Sequence, residues 1–218
     1  EKNKEVMISA DWNSETLTVK TDASGKWKTK IKTPVAGGPF SIKISTNKEQ
    51  ITLNNVLIGE VWMGSGQSNM EMPMAGYNNQ PINDSNELIL SSKNQQIRLF
   101  TVKRKTSKIP LYDCEGSWQE ASPETVADFS AVAYNFAKQL NNTLGVPIGI
   151  INSSWGGTPV EAWIQLEAVE DEVTLEEQKL FNYNISENKR EQDAPAYLFN
   201  GMINPILDFS LKGVICLN

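Results

Sequence analysis

Ser68 is the side chain in this sequence best placed to act as a nucleophile. It lies in the small polar stretch GSGQSN, residues 64–69, which directly follows the apolar run Asn55–Met63. An apolar run that ends in Gly-Ser-Gly is typical of a buried strand that stops at a tight turn. In α/β proteins such a turn exposes side chains at the carboxyl edge of the sheet. If a helix begins near Met70, its free backbone N–H groups lie beside Ser68 and can stabilise an oxyanion.

The same stretch also has a purely structural interpretation. A Gly/Ser loop can simply connect two elements, with Ser68 acting only as the N-cap of a helix. The stretch also differs from the Gly-x-Ser-x-Gly elbow, because Met70 stands where the second glycine is expected. Local spacing alone therefore leaves both roles of Ser68 open.

The amino-acid composition restricts what a catalytic Ser68 can do. The 218 residues contain no histidine. A serine hydroxyl is a weak nucleophile and normally needs an adjacent base, most often histidine. These 218 residues cannot supply that histidine. The lack of histidine and the presence of only two cysteines, Cys114 and Cys216, also leave no ligand set for zinc.

Charge and hydropathy favour a soluble globular protein of one or two domains. The formal net charge of −6 and the lack of a basic stripe argue against nucleic acid as a partner. No apolar run approaches the ~20 residues that span a bilayer, so we expect no membrane partner. The two cysteines form either a disulfide or two unrelated buried thiols, and so low a count favours the thiols.

The first 54 residues predict antiparallel β structure, and the rest predict a mainly parallel α/β domain. Short β-rich runs alternate with turn signals at 22–25 and 34–39, which is typical of hairpins in a β-sandwich. From residue 55 onward, strands and helices alternate. We therefore divide the chain into residues 1–54, a partial β-sandwich, and residues 55–218. The β-rich runs of the first part are Val6–Ile8, Thr16–Lys20, Trp27–Ile31 and Phe40–Ile44.

Several elements of the second part are expected to position the chemistry. The clearest helix is Asp128–Leu144, with Asp128 as N-cap and Gly145 at its end. Its apolar stripe comprises Phe129, Val132, Ala133, Phe136, Ala137 and Leu140. Other predicted elements are a helix over 83–90, strands over 96–102 and 146–152, a helical excursion within 165–192, and a strand beginning over 211–215. The basic cluster Lys103–Lys105 is interpreted as solvated surface, although it could also border a pocket for an acidic sugar.

A second glycine-rich turn follows the strand predicted over 146–152. It reads SSWGGTPVEAW, residues 153–163, and its paired glycines Gly156 and Gly157 allow a close approach of the backbone to a ligand. In isolation a Gly-Gly turn is usually only a turn. Glu161 and Trp163 are expected to anchor this loop rather than to contact substrate.

Two blocks of the sequence resemble those of a known enzyme family. GEVWMGSGQSNMEMPM, residues 59–74, closely resembles the nucleophile block of the sialate O-acetylesterases, which are SGNH-type hydrolases related to acetylxylan esterases. SSWGGTPVEAW resembles the second block of that family, and the segment 197–207 resembles its Tyr-Asn-Gly-Met segment. The resemblance implies an SGNH/flavodoxin-like three-layer α/β/α domain, truncated here and preceded by a small β-domain.

The resemblance also implies roles for individual residues. Ser68, not Ser65, is the acyl-accepting nucleophile. Its backbone N–H and that of Gly157, with Gly156 as the alternative, form the oxyanion hole, and Gln67 and Asn69 contact substrate. The implied substrate is an O-acetylated sugar, with sialic acid and xylan not separated as acetyl carriers. No metal or organic cofactor is implied, and the family implies a periplasmic or secreted location.

Two later blocks of the family are missing from this sequence. The family continues into a Trp-Tyr-Gln-Gly-Glu-Ser-like block and, further on, an Asp-x-x-His motif that supplies the base. The resemblance covers roughly residues 16–215, so we expect an incomplete catalytic domain that is inactive alone. A complementing C-terminal polypeptide could then supply the missing groups. Acetylxylan esterase-like activity and a non-catalytic carbohydrate-binding module are the alternatives.

Overall fold

The computed structural model describes residues 2–168 and 190–217 of the chain. The chain forms two compact units, Glu1–Gly59 and Glu60–Asn218. The apolar run Asn55–Met63, predicted as one strand, is divided at Gly59 between a strand that ends at Ile58 and one that begins at Glu60. That prediction was wrong because the two halves belong to different sheets.

The first unit is a four-stranded antiparallel sheet in the order β2-β1-β3-β4. Its strands are β1 (Glu5–Ala10), β2 (Thr16–Lys20), β3 (Gly37–Ser45) and β4 (Gln50–Ile58). The predicted runs within β1, β2 and β3 are confirmed. The strand predicted over Trp27–Ile31 was wrong, because this run pairs with neither edge strand of the sheet, β2 or β4. Residues 2–59 form one sheet, so the second layer of a β-sandwich stays a prediction.

Alternation within β1 provides the small core of this unit. Val6, Ile8 and Ala10 are buried, as expected for residues that share one face of a strand. The ring of Trp12 meets that of Phe40 edge-on at a centroid separation of 5.2 Å. By contrast with β1, none of the nine residues of β4 is buried.

The second unit contains a five-stranded sheet in the order β7-β6-β8-β5-β9. Only β7 is antiparallel to its neighbour, which confirms the predicted mainly parallel sheet. Every residue of β8 is buried, because the strand is central and covered on both faces. The strands are β5 (Glu60–Gly66), β6 (Asn94–Thr101), β7 (Trp118–Ala121), β8 (Ile148–Ser154) and β9 (Gly213–Leu217).

Two separate apolar clusters cover the two faces of this sheet. One contains Ile148 and Ile150 of β8, against residues from the four α-helices. The other contains Ile151, against Ala162 and Met202 from short helical turns. The helices are α1 (Ser68–Glu71), α2 (Ser85–Leu90), α3 (Pro123–Ala127) and α4 (Ala131–Leu144), and the turns are Val160–Trp163, Glu191–Asp193, Phe199–Ile203 and Asn204–Ile206. The unit is therefore a mixed α/β structure.

The long predicted helix begins three residues later than Asp128. Asp128 is instead the C-cap of α3, and Ser130 is the N-cap of α4. The Ser130 hydroxyl accepts a hydrogen bond from the Ala133 N–H at 3.2 Å and donates one to the Met70 carbonyl at 2.5 Å. Gly145 ends the helix in the left-handed conformation, as predicted. The apolar stripe is rotated from the prediction, since Val132 is 36% exposed while Tyr134 is buried.

The remaining predicted elements are present with shifted ends. The strands predicted over 96–102, 146–152 and 211–215 correspond to β6, β8 and β9, and the helix over 83–90 to α2. Most of the helical excursion predicted within 165–192 lies outside the described residues. Cys114 and Cys216 are free thiols, and burial together with the Asp113 carboxylate raises the pKa of Cys114. In the described part of the chain, no helix has both the length and the apolar character needed to cross a bilayer.

Candidate active site

Ser68 is an exposed residue at the carboxyl edge of the parallel sheet. It is the first residue of α1 and is separated from the end of β5 only by Gln67. The neighbouring strands β8 and β6 end at the same edge, because Gly66 pairs with Ser154 and Asn152 pairs with Thr101. The loops that follow three adjacent strands therefore meet around Ser68.

Gly66 allows the chain to turn away from the sheet at this point. Its φ is +139°, and a Cβ there would lie 2.0 Å from the Leu217 carbonyl oxygen of β9. Only glycine fits both the backbone conformation and the neighbouring strand. Ser65, one residue earlier, is buried within β5. Of the two serines in the motif, only Ser68 faces solvent.

The helix that was expected to begin near Met70 begins at Ser68 and is a single turn. It spans four residues and ends before Pro73, which forms an isolated β-bridge with Ser130. One turn has only a small aligned dipole, so the helix dipole contributes little at Ser68. The first N–H groups of the turn still lack an acceptor four residues earlier.

The second glycine-rich turn lies directly against Ser68. A Cβ on Gly156 would lie 3.4 Å from both Cα and Cβ of Ser68. Gly157 has a φ of +72°, and a Cβ there would meet only the Arg190 side chain at 3.9 Å. The two motifs, predicted separately from sequence, are thus brought together by the parallel pairing of β5 with β8.

The two glycine amides have different hydrogen-bonding partners. The Gly156 N–H donates to Glu71 Oε2 at 2.6 Å, so it is already engaged. The Gly157 N–H has no acceptor among the described residues, while the Gly157 carbonyl accepts from Arg190 Nη2 at 2.8 Å. Of the two amides, Gly157 is the one whose N–H has no acceptor in the described part of the chain.

Glu71 joins the loops at this edge and was missed from sequence. Its second carboxylate oxygen forms an ion pair with Arg104, whose guanidinium lies 5.2 Å from the ring centroid of Trp155. The Glu71 side chain is 17% exposed and that of Arg104 is 51% exposed. Arg104 therefore lies beside Ser68 while it stays exposed, as predicted for the cluster over 103–105; a pocket for an acidic sugar at this cluster stays a prediction. Glu71 shares a face of α1 with Ser68, since residues three apart are helix neighbours, and this spacing was the available signal.

The loop after β8 is held by hydrogen bonds within itself, as predicted for Trp163. The Trp163 ring N–H donates to Thr158 Oγ1 at 2.9 Å, and that hydroxyl donates to the Trp155 carbonyl at 2.7 Å. Glu161 contributes its backbone carbonyl, which accepts from the Ala196 N–H at 3.0 Å. The anchoring fixes the path of the chain that carries Gly156 and Gly157.

The segment 103–111 is hydrogen-bonded to the turns Phe199–Ile203 and Asn204–Ile206. Asn200 and Asn204 donate side-chain hydrogen bonds to the carbonyls of Ser107 and Leu111 at 3.2 and 2.8 Å. A Cβ on Gly201 would lie 2.1 Å from the Lys105 carbonyl oxygen, so this contact requires glycine. These residues give the segment carrying Arg104 a fixed path beside the site.

The other predicted site residues lie at the same edge without a defined role. Gln67 is half-buried, and its backbone N–H donates to the Leu217 carbonyl at 3.2 Å, whereas Asn69 is exposed. Substrate contact by these two side chains stays a prediction. Residues 2–168 and 190–217 contain no group of three or more His, Cys, Asp and Glu side chains that could hold a metal ion.

Known proteins are similar to this chain over part of their length. The chain is 31% identical over 228 residues to a sialate O-acetylesterase of Rattus norvegicus, covering 88% of this chain and 41% of that protein. It is 30% identical to a sialate O-acetylesterase of Homo sapiens, covering 96% of this chain and 42% of that protein. The crystal structure of a carbohydrate acetylesterase from Xanthomonas citri matches with a TM-score of 0.84 and 33% identity, over 99% of this chain and 45% of that one.

The chain belongs to the sialate O-acetylesterase-like family. It spans about two-fifths of the length of the curated sialate O-acetylesterases that it matches. No family model matches the chain. The family assignment confirms the resemblance found in the two glycine-rich blocks, which this structure brings to one edge of a single sheet.

Proposed function

We propose that this sialate O-acetylesterase-like chain provides the nucleophile and part of the oxyanion hole of an SGNH-type carbohydrate O-acetylesterase. The observation that carries the proposal is the contact between the two motifs. Ser68 is exposed at the end of β5, and the backbone of Gly156 lies against it. The relatives named sialate O-acetylesterase and carbohydrate acetylesterase support an O-acetylated sugar as substrate.

We propose the following reaction at this edge. Ser68 Oγ, deprotonated by a base, attacks the acetyl carbonyl of the sugar ester. The tetrahedral oxyanion accepts hydrogen bonds from the N–H groups of Ser68 and Gly157. Collapse breaks the ester bond and releases the sugar hydroxyl, which takes up the proton held by the base. Water activated by the same base then attacks the acetyl-serine and releases acetate.

The base for this reaction comes from polypeptide outside these 218 residues. The chain contains no histidine, which is the usual base beside a serine nucleophile. Loss of the base in a serine hydrolase lowers kcat by about 10⁴-fold or more. We therefore propose that the isolated chain is nearly inert toward acetyl esters.

A hybrid protein tests the proposal. This chain is fused to the part of the Xanthomonas citri acetylesterase that it does not match, and hydrolysis of p-nitrophenyl acetate is measured. We expect activity in the hybrid, none above background in the isolated chain, and a decrease of at least about 10³-fold in the Ser68→Ala hybrid. Ser65→Ala is the matched control, since that serine is buried in β5, and it should retain activity.

The substrate is tested with the same hybrid. Acetate release from an O-acetylated sialic acid and from acetylated xylo-oligosaccharides is compared at equal ester concentration. Release from either sugar that depends on Ser68 supports carbohydrate O-acetylesterase activity. A folded hybrid in which Ser68→Ala leaves hydrolysis unchanged would contradict the proposed nucleophile.

A further inference from the structure

Glu71 is the residue that connects the nucleophile to the oxyanion loop. It lies three residues after Ser68 on the same single turn of helix, and the Glu71 N–H bonds to the Gln67 carbonyl at 2.9 Å. One carboxylate oxygen accepts from the Gly156 N–H at 2.6 Å. The other pairs with Arg104. A single side chain therefore links the loops that follow β5, β8 and β6.

We propose that Glu71 is a positioning residue that holds the Gly157 N–H in the orientation needed to bind the oxyanion formed at Ser68. The proposal rests on the function proposed above. It adds a residue that neither glycine-rich motif identifies as part of the catalytic machinery. The Glu71 carboxylate acts through the loop backbone and does not itself contact substrate.

The physical basis is that the Gly157 amide lies between two anchored points. Before it, the Gly156 N–H is held by Glu71, and after it, the Gly157 carbonyl is held by Arg190. Arg190 is in turn paired with Asp193 at 3.2 Å. Glycine pairs are the most flexible part of a backbone, so without these anchors the peptide between them can rotate. A rotated N–H no longer points at the developing oxyanion.

Arg104 determines which way the Glu71 carboxylate faces. Its guanidinium pairs with Glu71 and lies over the ring of Trp155, the residue before Gly156. Because Arg104 is half-exposed, its ion pair is screened by solvent and contributes less than the partly buried hydrogen bond from the Gly156 N–H. Removing Arg104 should therefore disturb the Gly156 amide in the same direction as removing Glu71 does, but to a smaller extent.

The contact is measured directly by NMR on the 218-residue chain labelled with [15N]glycine, which gives at most 14 backbone glycine signals. A hydrogen bond to a carboxylate shifts the Gly156 amide proton downfield and slows its exchange with solvent. We expect Glu71→Ala to remove the shift and to speed exchange at least about tenfold. Glu71→Gln, which retains a side-chain oxygen as acceptor, should keep part of both effects, and Arg104→Met should change them least.

The matched control is Glu115→Ala. Glu115 forms an ion pair with Lys103 at 2.6 Å in the neighbouring segment, and that pair contacts neither glycine. This variant should leave the Gly156 signal and its exchange rate unchanged. An unaltered Gly156 amide in Glu71→Ala would overturn the proposal. If Glu71→Ala does not fold, an unaltered amide in both Glu71→Gln and Arg104→Met would overturn it.

The consequence for catalysis is measured in the hybrid esterase. Glu71→Ala should lower kcat by about 10- to 100-fold with little change in KM, because the oxyanion donor acts in the transition state. Glu71→Gln should recover part of the lost kcat, which a general loss of folding would not explain. Equal kcat in Glu71→Ala and the parent hybrid would overturn the proposal.

The two proposals fail in different ways. An inactive parent hybrid, or one that does not depend on Ser68, contradicts the esterase proposal, and the amide measurement still decides whether Glu71 holds the glycine loop. An active, Ser68-dependent hybrid whose kcat does not depend on Glu71 contradicts only the positioning role.

Discussion

The central strand β8 of the second unit and the edge strand β4 of the first unit differ sharply in burial. All seven residues of β8 in the second unit are buried, whereas none of the nine residues of β4 in the first unit is. Both strands are rich in apolar residues, so their composition does not account for the difference. The parallel strand is central and covered by helical layers on both faces, while β4 lies at the edge of what is, in the described part of the first unit, a single antiparallel sheet.

The comparison shows which sheet can hold loop residues in fixed positions. The loops at the carboxyl edge of the parallel sheet begin from strands that are fixed by packing on both sides. A one-turn helix and a Gly-Gly turn can therefore be placed so close together that a methyl group on Gly156 would touch Ser68. The first unit offers no comparable support, and its turns are held mainly by local hydrogen bonds such as those of Asp22.

Two glycines with similar backbone conformations give the largest expected contrast. Gly66 has a φ of +139° with a neighbouring carbonyl where its Cβ would be, and Gly37 has a φ of +155° with open space there. We expect Gly66→Ala to lower the free energy of unfolding of the second unit by about 5 kcal/mol, from strain plus overlap. Gly37→Ala should cost the first unit about 1 to 2 kcal/mol, from strain alone. Urea unfolding followed by amide hydrogen exchange in each unit measures both, and equal costs would contradict the crowding at Gly66.

Isoleucine truncation tests the burial difference itself. Ile150 in β8 is fully buried and Ile51 in β4 is 61% exposed. Ile150→Ala should lower the free energy of unfolding of its unit by about 3 kcal/mol, since it leaves a cavity. Ile51→Ala should cost less than about 1 kcal/mol. A similar loss in the two variants, measured by urea unfolding, would mean that β4 is more deeply packed than the described residues show.

A buried hydrogen bond from Ser130 supports the helix that begins at Ser68. Its hydroxyl caps α4 and donates to the carbonyl of Met70 in α1, and it is fully buried. Ser130→Ala should cost about 2 kcal/mol, because it removes a cap and leaves a buried acceptor unpaired. Thermal unfolding measures the loss. A change within experimental error would show that another group satisfies the Met70 carbonyl.

The smallest effect is expected at the exposed Asp22 turn of the first unit. The hydroxyl of Ser24, followed by the backbone N–H of Lys26, lowers the pKa of Asp22 below its ordinary value. A lowered pKa in the folded state stabilises the turn above the ordinary carboxyl pKa, and this contribution disappears as the pH falls through the folded value. Ser24→Ala should move the Asp22 midpoint upward in a carboxyl 13C NMR titration. A midpoint that stays in place would assign the shift to the backbone donors alone.

Particular residues show how far sequence reasoning reaches. The parallel sheet, the exposed Ser68 and the nearby glycine turn follow from patterns within about ten residues, which is why they could be predicted. The N-cap at Ser130 could not be, because it depends on α3 ending at Asp128 and on a contact to Met70, 60 residues away in sequence. The false strand at Trp27–Ile31 has a suitable local pattern, but it pairs with neither edge strand, β2 or β4, and a local pattern does not determine pairing.

Only part of the candidate site could be predicted from the sequence. Its two motifs are local, but the contact between them depends on which strands pair. Glu71 is separated from Gly156 by 85 residues, and nothing in the local pattern of either indicates that they meet. This long-range hydrogen bond also distinguishes the Gly156 amide, which is engaged, from the Gly157 amide, which has no acceptor among the described residues.

Trapping the acyl-enzyme tests the central assignment most directly. The hybrid esterase is mixed with an O-acetylated sugar, quenched in acid during turnover and digested, and the peptides are analysed by mass spectrometry. The account predicts one added acetyl group on the peptide that contains Ser68, absent from the Ser68→Ala hybrid. Acetyl transfer to another serine, or turnover that continues in Ser68→Ala with no acetylated peptide, would contradict it.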